Sequence, residues 1–230
     1  GWKIEKVSDR KVRDEWKPLW GKRAVVEDHF NELVIDLVNP AGQPERMQLV
    51  VRGYNDGFAF CYKIPDGKGP CVNVQSELTA YNFAGDYTAW FYNGENHNIG
   101  PEKLTETDGT RLPVMTVKAG DKHYMAIHEA CLETGAPLVL QSKGGESLFS
   151  VASKPTSLSP GYTSAWRVVL YGTTPGVLTD SHLLELLNPD PDSRYDFSWV
   201  KPGLAVWDWR INGAVWDGFT YGMSYPSWVR

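Results

Sequence analysis

The chain has 230 residues, of which 42% are hydrophobic and 22% charged, and its formal net charge is −5. This composition is typical of a globular protein and is sufficient for one large domain or two small ones. Because the net charge is negative and no basic block is present, there is no electrostatic reason to expect a nucleic acid or an anionic membrane as partner. No run approaches the roughly 20 apolar residues of a transmembrane helix. Neutral ligands are the better expectation.

Apolar and polar residues alternate with period two through most of the first 171 residues. Segments 32–38 and 47–52 are separated by the turn residues Asn39-Pro40-Ala41-Gly42 and predict a β-hairpin. Further strands are predicted at residues 58–64, 71–74, 87–92, 114–117, 124–130, 138–141 and 166–171. Many short strands separated by turns predict an antiparallel β-sandwich.

One helix is predicted near residue 183. Asp180 and Ser181 provide a plausible N-cap, and Asn188-Pro189 ends the helix after about two turns. Residues 189–197 are interpreted as a linker. The predicted domains are therefore residues 1–197, a β-sandwich, and residues 198–230, the start of a second domain.

The last 33 residues differ in character from the rest of the chain. Residues 204–207 form an apolar run, as expected for a strand buried on both faces of a parallel sheet. Pro226 suits the first turn of a helix, so this segment predicts the beginning of a βα unit. Five of the ten tryptophans also lie here, a density more usual for a surface that stacks on sugar rings than for an ordinary core.

The three cysteines are Cys61, Cys71 and Cys131. They are too few for a disulfide framework and lack the spacing of a zinc site, which favours core thiols. One bridge between Cys61 and Cys71, across a hairpin at residues 65–69, remains an alternative in an oxidising compartment. His123 and His128 are predicted on opposite strand faces without a third metal ligand.

Glu129 is the carboxylate that most needs an explanation. In a strand, it shares one face with Met125, Ile127 and Cys131, which places it at the end of an apolar stripe. A buried carboxylate needs a cation, an arginine or a proton as partner. A salt bridge to an arginine such as Arg167 is one candidate.

Several blocks of the chain together resemble glycoside hydrolase family 97, the multidomain α-glucosidases and α-galactosidases known mainly from Bacteroidetes-type bacteria. The blocks are Glu15-Trp16-Lys17-Pro18 with Gly21-Lys22-Arg23, His29-Phe30-Asn31-Glu32-Leu33, Arg52-Gly53-Tyr54-Asn55-Asp56-Gly57-Phe58-Ala59-Phe60, His128-Glu129-Ala130, Ala165-Trp166-Arg167, Ser198-Trp199-Val200-Lys201-Pro202-Gly203 and Trp207-Asp208-Trp209. The resemblance implies a β-super-sandwich domain packed against a catalytic (β/α)8 barrel.

The expected fold class is therefore mainly β, an antiparallel β-sandwich (super-sandwich) followed by the first βα unit of a truncated (β/α)8 barrel. The resemblance implies a bacterial periplasmic or extracellular enzyme. We expect the chain to be a fragment of that enzyme, with the catalytic acid/base and the nucleophile or base beyond residue 230. No catalytic residue is assigned within the chain, and the missing barrel is the expected partner of the sandwich.

The resemblance also implies two sets of site residues. Glu129 is expected to bind a Ca²⁺ ion that barrel carboxylates share, which suits a hard cation that collects oxygen ligands. Trp207, Asp208 and Trp209 are expected to contact substrate at the carboxyl end of the first barrel strand. The alternative is that Trp207 belongs to the barrel core and Asp208 caps a loop or pairs with Arg210.

Two functions follow from these observations. The first is an incomplete, calcium-dependent, exo-acting α-glycoside hydrolase that removes terminal α-linked sugars from an oligosaccharide or α-glycoside. The second is a self-contained, non-catalytic carbohydrate-binding β-sandwich whose tryptophan-rich end binds sugar. A binding module would close its own fold, whereas an incomplete barrel would leave a large apolar surface exposed.

Overall fold

The computed structural model describes residues 1–133 and 135–204 and the backbone of residues 215–216 and 219–220. The chain divides into two compact units, the first comprising residues 1–18 and 22–191 and the second residues 19–21 and 192–230. No helix in the described ranges has the length and apolar character needed to cross a membrane.

The secondary structure is mostly β. The strands are, in chain order, β1 (Lys3–Trp16), β2 (Val26–Val38), β3 (Arg46–Tyr54), β4 (Gly57–Lys63), β5 (Val72–Val74), β6 (Ala80–Asn82), β7 (Thr88–Tyr92), β8 (Ile99–Lys103), β9 (Asp108–Lys118), β10 (Tyr124–Ala130), β11 (Leu140–Lys143), β12 (Leu148–Val151), β13 (Thr156–Leu158), β14 (Trp166–Gly172), β15 (Val215–Trp216) and β16 (Phe219–Thr220). A short 3-10 helix spans Leu104–Glu106, and two α-helices, α1 (Pro175–Asp180) and α2 (Leu183–Leu186), follow β14.

Within the described residues, twelve strands form one antiparallel sheet whose main order is β1-β2-β3-β4-β14-β10-β9-β11-β12-β6. Strand β7 joins it alongside β9, and β8 pairs with β7. Strand β9 belongs to both halves of the sheet, because its first part pairs with β11 and its last part pairs with β10. This shared long strand lets one half of the sheet pack over the other, as in a sandwich.

The interior of the sandwich lies on one face of β10. Ile127 of β10 packs with Met115 and Val117 of β9, and the same cluster contains Leu140 of β11 and Phe149 of β12. All five side chains are almost fully buried. Apolar contact between the two halves of the sheet therefore stabilises the sandwich.

A second core lies on the opposite face of β10 and β14. Ala126 and Ala130 of β10 and Val168 of β14 pack with Leu183 and Leu187 from the α2 region. The small alanine side chains leave room for the helical segment to approach the sheet closely. Strands β10 and β14 therefore contribute buried side chains to cores on both of their faces.

The predicted strands are confirmed. Each of the seven further segments overlaps an observed strand, and residues 124–130 coincide with β10. The predicted hairpin is β2–β3, with Val34 opposite Val50, and its turn is closed by the Asn39 N–H, which donates to the Glu45 carbonyl at 2.7 Å. The predicted antiparallel sandwich is likewise the observed fold.

The predicted helix is α2, and it is shorter than expected. The Leu183 N–H donates to Ser181 Oγ at 3.2 Å, so Ser181 satisfies a free donor at its start. Asn188 ends the segment by donating from Nδ2 to the Leu184 carbonyl at 2.7 Å. Helix α1 was not predicted from the sequence, because its six residues carry no buried side chain and hence no apolar period.

The prediction that Cys131 shares the face of Glu129 is wrong. Cys131 has a φ of 55°, a left-handed conformation that ends the alternation of β10, and its side chain packs against the helix-covered core. The three cysteines are free thiols, so the alternative disulfide is absent. Cys61 is buried, as expected for a core thiol, whereas the same expectation is wrong for Cys71, which is exposed. Burial raises the pKa of the Cys61 thiol to about 12, which keeps this core residue protonated.

Strand β1 is the largest element that the sequence analysis did not predict. It is 14 residues long and exposed along most of its length, and it pairs only with β2 among the described strands. Charged residues occupy both of its faces, so it has no alternation of apolar and polar side chains. Charge on an edge strand opposes pairing with a second molecule.

The predictions for residues 204–207 and 225–230 fall largely outside the described residues. These predictions are the buried first strand of a barrel and the first turn of its helix. The domain boundary at residue 197 therefore stays a prediction. The structure divides the chain into two compact units, and the first of them ends at Pro191.

Candidate functional site

Glu129 and Arg167 face each other across β10 and β14. The two residues are register partners in the antiparallel pair, which places their side chains on the same face of the sheet. Glu129 Oε2 lies 3.6 Å from Arg167 Nη1, and the exposed fractions of the two side chains are 9% and 2%. The arginine partner that the sequence suggested for Glu129 is therefore present.

A second carboxylate, Glu77, binds the same guanidinium. Arg167 Nε donates to Glu77 Oε1 at 3.0 Å and Nη2 donates to Oε2 at 2.6 Å, a two-pronged arrangement that is among the strongest ionic contacts in proteins. The Glu77 N–H also donates to Ser153 Oγ at 2.7 Å, which holds the loop that carries Glu77. Arg167 is thus shared between two acidic residues from distant parts of the chain.

The loop after β10 closes over this ion cluster. The Leu138 N–H donates to Glu129 Oε2, and the Ala136 carbonyl accepts a hydrogen bond of 3.4 Å from Arg167 Nη1. Gly135 permits this path, because a Cβ atom there would lie 2.0 Å from the backbone nitrogen of Ala165. The loop therefore fixes the orientation of the Glu129 carboxylate through backbone groups.

The cluster combines one guanidinium with two carboxyl groups. Burial disfavours the charged form of Arg167, but the hydrogen bonds and charge of Glu77 outweigh it and raise the pKa of the guanidinium. Burial also raises the pKa of the neighbouring Tyr81, which stays neutral. One guanidinium and two carboxyl groups meet in this cluster, so a formal count of side-chain charges gives −1. Low-dielectric surroundings make such an excess charge costly unless a cation or a proton compensates it.

The described residues fit a Ca²⁺ ion only as one part of a coordination shell. Ca²⁺ takes six to eight oxygen ligands, whereas no group of three or more histidine, cysteine, aspartate or glutamate side chains in the described ranges could hold a metal ion. Glu129 fits the role of a single carboxylate ligand that is held in place by Arg167 and Leu138. The remaining oxygen ligands would have to come from other parts of the protein.

The other predicted site residues cannot be placed. Trp207, Asp208 and Trp209 lie outside the described residues, as does Arg210, the proposed partner of Asp208. Their roles in substrate contact stay predictions.

Glu77 is the site residue that sequence reasoning missed. It lies 90 positions before Arg167 in a segment without a strand pattern. The one signal in the sequence was chemical, because a guanidinium has five N–H donors and can bind a second carboxylate besides Glu129. Arg167 by contrast was identifiable from its position in a continuous apolar strand.

Comparison with known proteins shows which family this chain resembles. The family described as Glycosyl-hydrolase 97 N-terminal matches residues 1–189. The chain is 26% identical to the retaining alpha-galactosidase of Bacteroides thetaiotaomicron over 96% of its own length and 38% of the relative. It is 29% identical to a probable retaining alpha-galactosidase of Streptomyces bingchenggensis over 73% of its own length and 27% of the relative.

Solved structures show the same similarity. A variant of a glycoside hydrolase family 97 enzyme from Pseudoalteromonas sp. strain K8, solved in complex with panose, superposes with a TM-score of 0.76 at 26% identity. The match covers 88% of this chain and 32% of that enzyme. The chain therefore spans between about a quarter and two fifths of the length of these relatives.

Proposed function

Because the chain belongs to the family of glycosyl-hydrolase 97 N-terminal domains, we propose that it is the N-terminal part of an exo-acting α-glycoside hydrolase that removes terminal α-linked sugars. The observation that carries the proposal is the family match over residues 1–189, which coincides with the sandwich that positions Glu129 and Arg167. The likeness of the fold to an enzyme solved with panose supports a sugar substrate.

The substrate class that the relatives favour is an α-galactoside. One relative is named a retaining alpha-galactosidase and the other a probable retaining alpha-galactosidase. Both names also favour a retaining mechanism for the protein that contains this chain. Such a mechanism requires two carboxyl groups about 5–5.5 Å apart. An α-glucoside is the alternative substrate.

The role we propose for the ion cluster is to hold Glu129 as a ligand of a calcium ion. Bound Ca²⁺ would supply a fixed positive charge that compensates the excess negative charge near Glu129. Arg167 holds the carboxylate of Glu129 through charge, and the Leu138 N–H holds it through a hydrogen bond. Because these two contacts already restrict the side chain, Glu129 would lose less conformational entropy when it binds the ion.

In this proposal the sandwich does not catalyse hydrolysis by itself. The acid/base and the nucleophile or base would belong to the catalytic barrel, which is the proposed partner of the sandwich within one polypeptide. We expect the isolated 230-residue chain to be inactive. A periplasmic or extracellular location is part of the same proposal.

The test uses the complete protein that contains this chain. Release of nitrophenol from p-nitrophenyl α-galactoside and α-glucoside is measured with calcium and with a chelator. We expect calcium-dependent turnover, with Glu129→Gln raising the calcium concentration needed for half-maximal activity by about tenfold or more. The matched control is Glu133→Gln, because Glu133 is exposed and lies four residues after Glu129, on the loop that follows β10.

Two outcomes would contradict the proposal. Turnover that is independent of calcium in both the wild type and Glu129→Gln would return Glu129 to a purely structural role. Sugar binding without turnover of either substrate would favour the carbohydrate-binding module instead.

A further inference from the structure

Two carboxylates compete for the guanidinium of Arg167, and they hold it unequally. Glu77 occupies one edge of the guanidinium, because Nε donates to Glu77 Oε1 at 3.0 Å and Nη2 donates to Oε2 at 2.6 Å. Glu129 faces Nη1, the nitrogen that this edge leaves free, at 3.6 Å, which is beyond hydrogen-bond distance. The stronger partner of Arg167 is therefore Glu77, although Glu129 is the carboxylate opposite it in the sheet.

The segment that carries Glu77 is anchored independently of Arg167. The Glu77 N–H donates to Ser153 Oγ at 2.7 Å. Two positions further on, the Thr79 carbonyl accepts a hydrogen bond of 2.9 Å from the Val151 N–H. These contacts fix the backbone on both sides of residue 78. Glu77 is thus a fixed acceptor that draws the guanidinium towards it.

The carboxylate of Glu129 is held through one of its two oxygens. The Leu138 N–H and Arg167 Nη1 both face Oε2, whereas Oε1 has no hydrogen-bond or ion-pair partner within the described part of the chain. Oε1 is still accessible, because it is not one of the polar atoms that are both enclosed and unpartnered. A two-pronged contact with the guanidinium would occupy both oxygens. The looser contact with Arg167 therefore leaves one oxygen of Glu129 for a cation.

We propose that Glu77 is a positioning residue for Glu129, because it holds the edge of Arg167 that would otherwise bind Glu129 and so keeps Oε1 available to a calcium ion. Without Glu77, Arg167 would turn this edge towards Glu129. The Glu129 carboxylate would then have to leave a two-pronged ion pair before it could bind the ion. The calcium part of this role rests on the proposed function, whereas the unequal sharing of Arg167 rests on the geometry of the cluster.

The first test follows the side-chain nitrogens of Arg167 by NMR in the 230-residue chain, without calcium. Glu129→Gln should move these resonances little in the wild type, because Arg167 makes no hydrogen bond to Glu129. In a Glu77→Gln background, the same second substitution should move them strongly, because Arg167 has turned towards Glu129. Equal effects of Glu129→Gln in the two backgrounds would overturn the proposal.

The second test measures the calcium affinity of the complete protein by isothermal titration calorimetry. Glu77→Gln should weaken calcium binding by about tenfold or more. Glu77→Asp keeps the negative charge, but its side chain is one methylene shorter and cannot hold both Nε and Nη2 from an anchored segment. It should therefore weaken calcium binding as well.

Glu102→Gln is the matched control for the loss of a carboxylate from an ion pair. The side chain of Glu102 is 22% exposed and pairs with Arg111, and the side chain of Glu77 is 18% exposed. Glu102 makes no contact with Arg167 or Glu129, so its replacement should leave calcium affinity unchanged.

The outcomes separate this proposal from the proposed function. Wild-type calcium affinity in both Glu77 variants would overturn the positioning role. Wild-type affinity in Glu77→Asp alone would also overturn it, because the charge of Glu77 rather than its hold on Arg167 would then set the affinity. A wild-type protein that binds no calcium would overturn the proposed role of Glu129, and the Arg167 resonances would still show whether Glu77 keeps the guanidinium away from Glu129.

Discussion

At the residue scale, Arg167 is the side chain on which the candidate site depends. A guanidinium presents five N–H donors in a planar fork, and Arg167 directs two of them to Glu77 and a third towards Ala136 and Glu129. Lysine could not reproduce this geometry, because its ammonium acts as a point charge on a flexible stem. One residue thus compensates two partly buried carboxylates and fixes their positions.

Replacing Arg167 by methionine should destabilise the sandwich by about 3–5 kcal/mol, because Glu77 and Glu129 lose their shared cation in a buried environment. The measurement is the free energy of unfolding from urea titration. Arg46→Met is the matched control, since the Arg46–Glu5 pair is solvent-exposed and its loss should change stability little. Equal effects of the two substitutions would show that the buried cluster contributes no more than a surface pair.

Glu32 provides a pH-dependent prediction outside the candidate site. It accepts hydrogen bonds from Arg10 Nε at 2.6 Å and from Arg52 Nε at 2.8 Å. Burial raises the pKa of this carboxyl, but the two guanidinium groups outweigh burial and hold the pKa below its usual range. The ionised form is therefore more stable in the folded than in the unfolded protein.

The resulting stability is fully present above the unfolded pKa of Glu32, near 4.3, and is lost as the pH falls through the lower folded value. Glu32→Gln should accordingly destabilise the chain by about 1–3 kcal/mol at pH 7. The stabilities of the two proteins from urea titration should approach each other as the pH falls below about 4.3 and become equal below the lower folded pKa of Glu32. A difference in stability that is independent of pH would contradict the assignment.

At the scale of elements, the contact between β4 and β14 depends on Gly57. A Cβ atom at this position would lie 2.4 Å from the Val169 carbonyl oxygen, so any larger residue forces the two strands apart. Gly57 pairs with Leu170 of β14, and Arg167 lies three positions before Leu170 on the same strand. The spacing of two strands is thereby linked to the geometry of the ion cluster.

We expect Gly57→Ala to destabilise the sandwich by about 1–3 kcal/mol, because backbone atoms must shift to relieve the overlap. The measurement is thermal unfolding, together with hydrogen exchange of the β14 amides, which should become faster. Gly67→Ala is the control, since a Cβ atom there meets nothing within 4 Å. If both variants unfolded at the same temperature, the close approach at Gly57 would not limit stability.

At the scale of the whole molecule, the first unit contains both hydrophobic cores. The buried members of the two cores all lie between Val50 and Leu187, within the unit that ends at Pro191. Both faces of β10 are covered by elements of this same unit. The sandwich therefore has the interior that an independently folding domain needs.

Truncation after Pro191 should leave the fold of the sandwich intact. We expect the truncated chain to unfold in one cooperative transition, with a melting temperature within a few degrees of that of the 230-residue chain. Circular dichroism measures the transition, and amide NMR spectra compare the two folds. Loss of cooperative unfolding on truncation would show that residues 192–230 contribute to the core.

How far the sequence predicted this molecule is clearest in β10 and its neighbours. The strand itself followed from alternation, and its arginine partner Arg167 followed from the need to compensate a buried carboxylate. Cys131 was misplaced because a single left-handed residue interrupts the alternation without a glycine to mark it. Strand β1 was missed because its charged residues conceal its period.

The sequence by itself determined the β-sandwich class, most of the strands, the β2–β3 hairpin and the family, because these depend on local periodicity, turn residues and recognisable blocks. Only the tertiary structure decided that Glu77 shares Arg167 with Glu129. The physical reason is that such contacts join segments far apart in the chain. Their geometry depends on strand register and loop path, which local side-chain patterns do not encode.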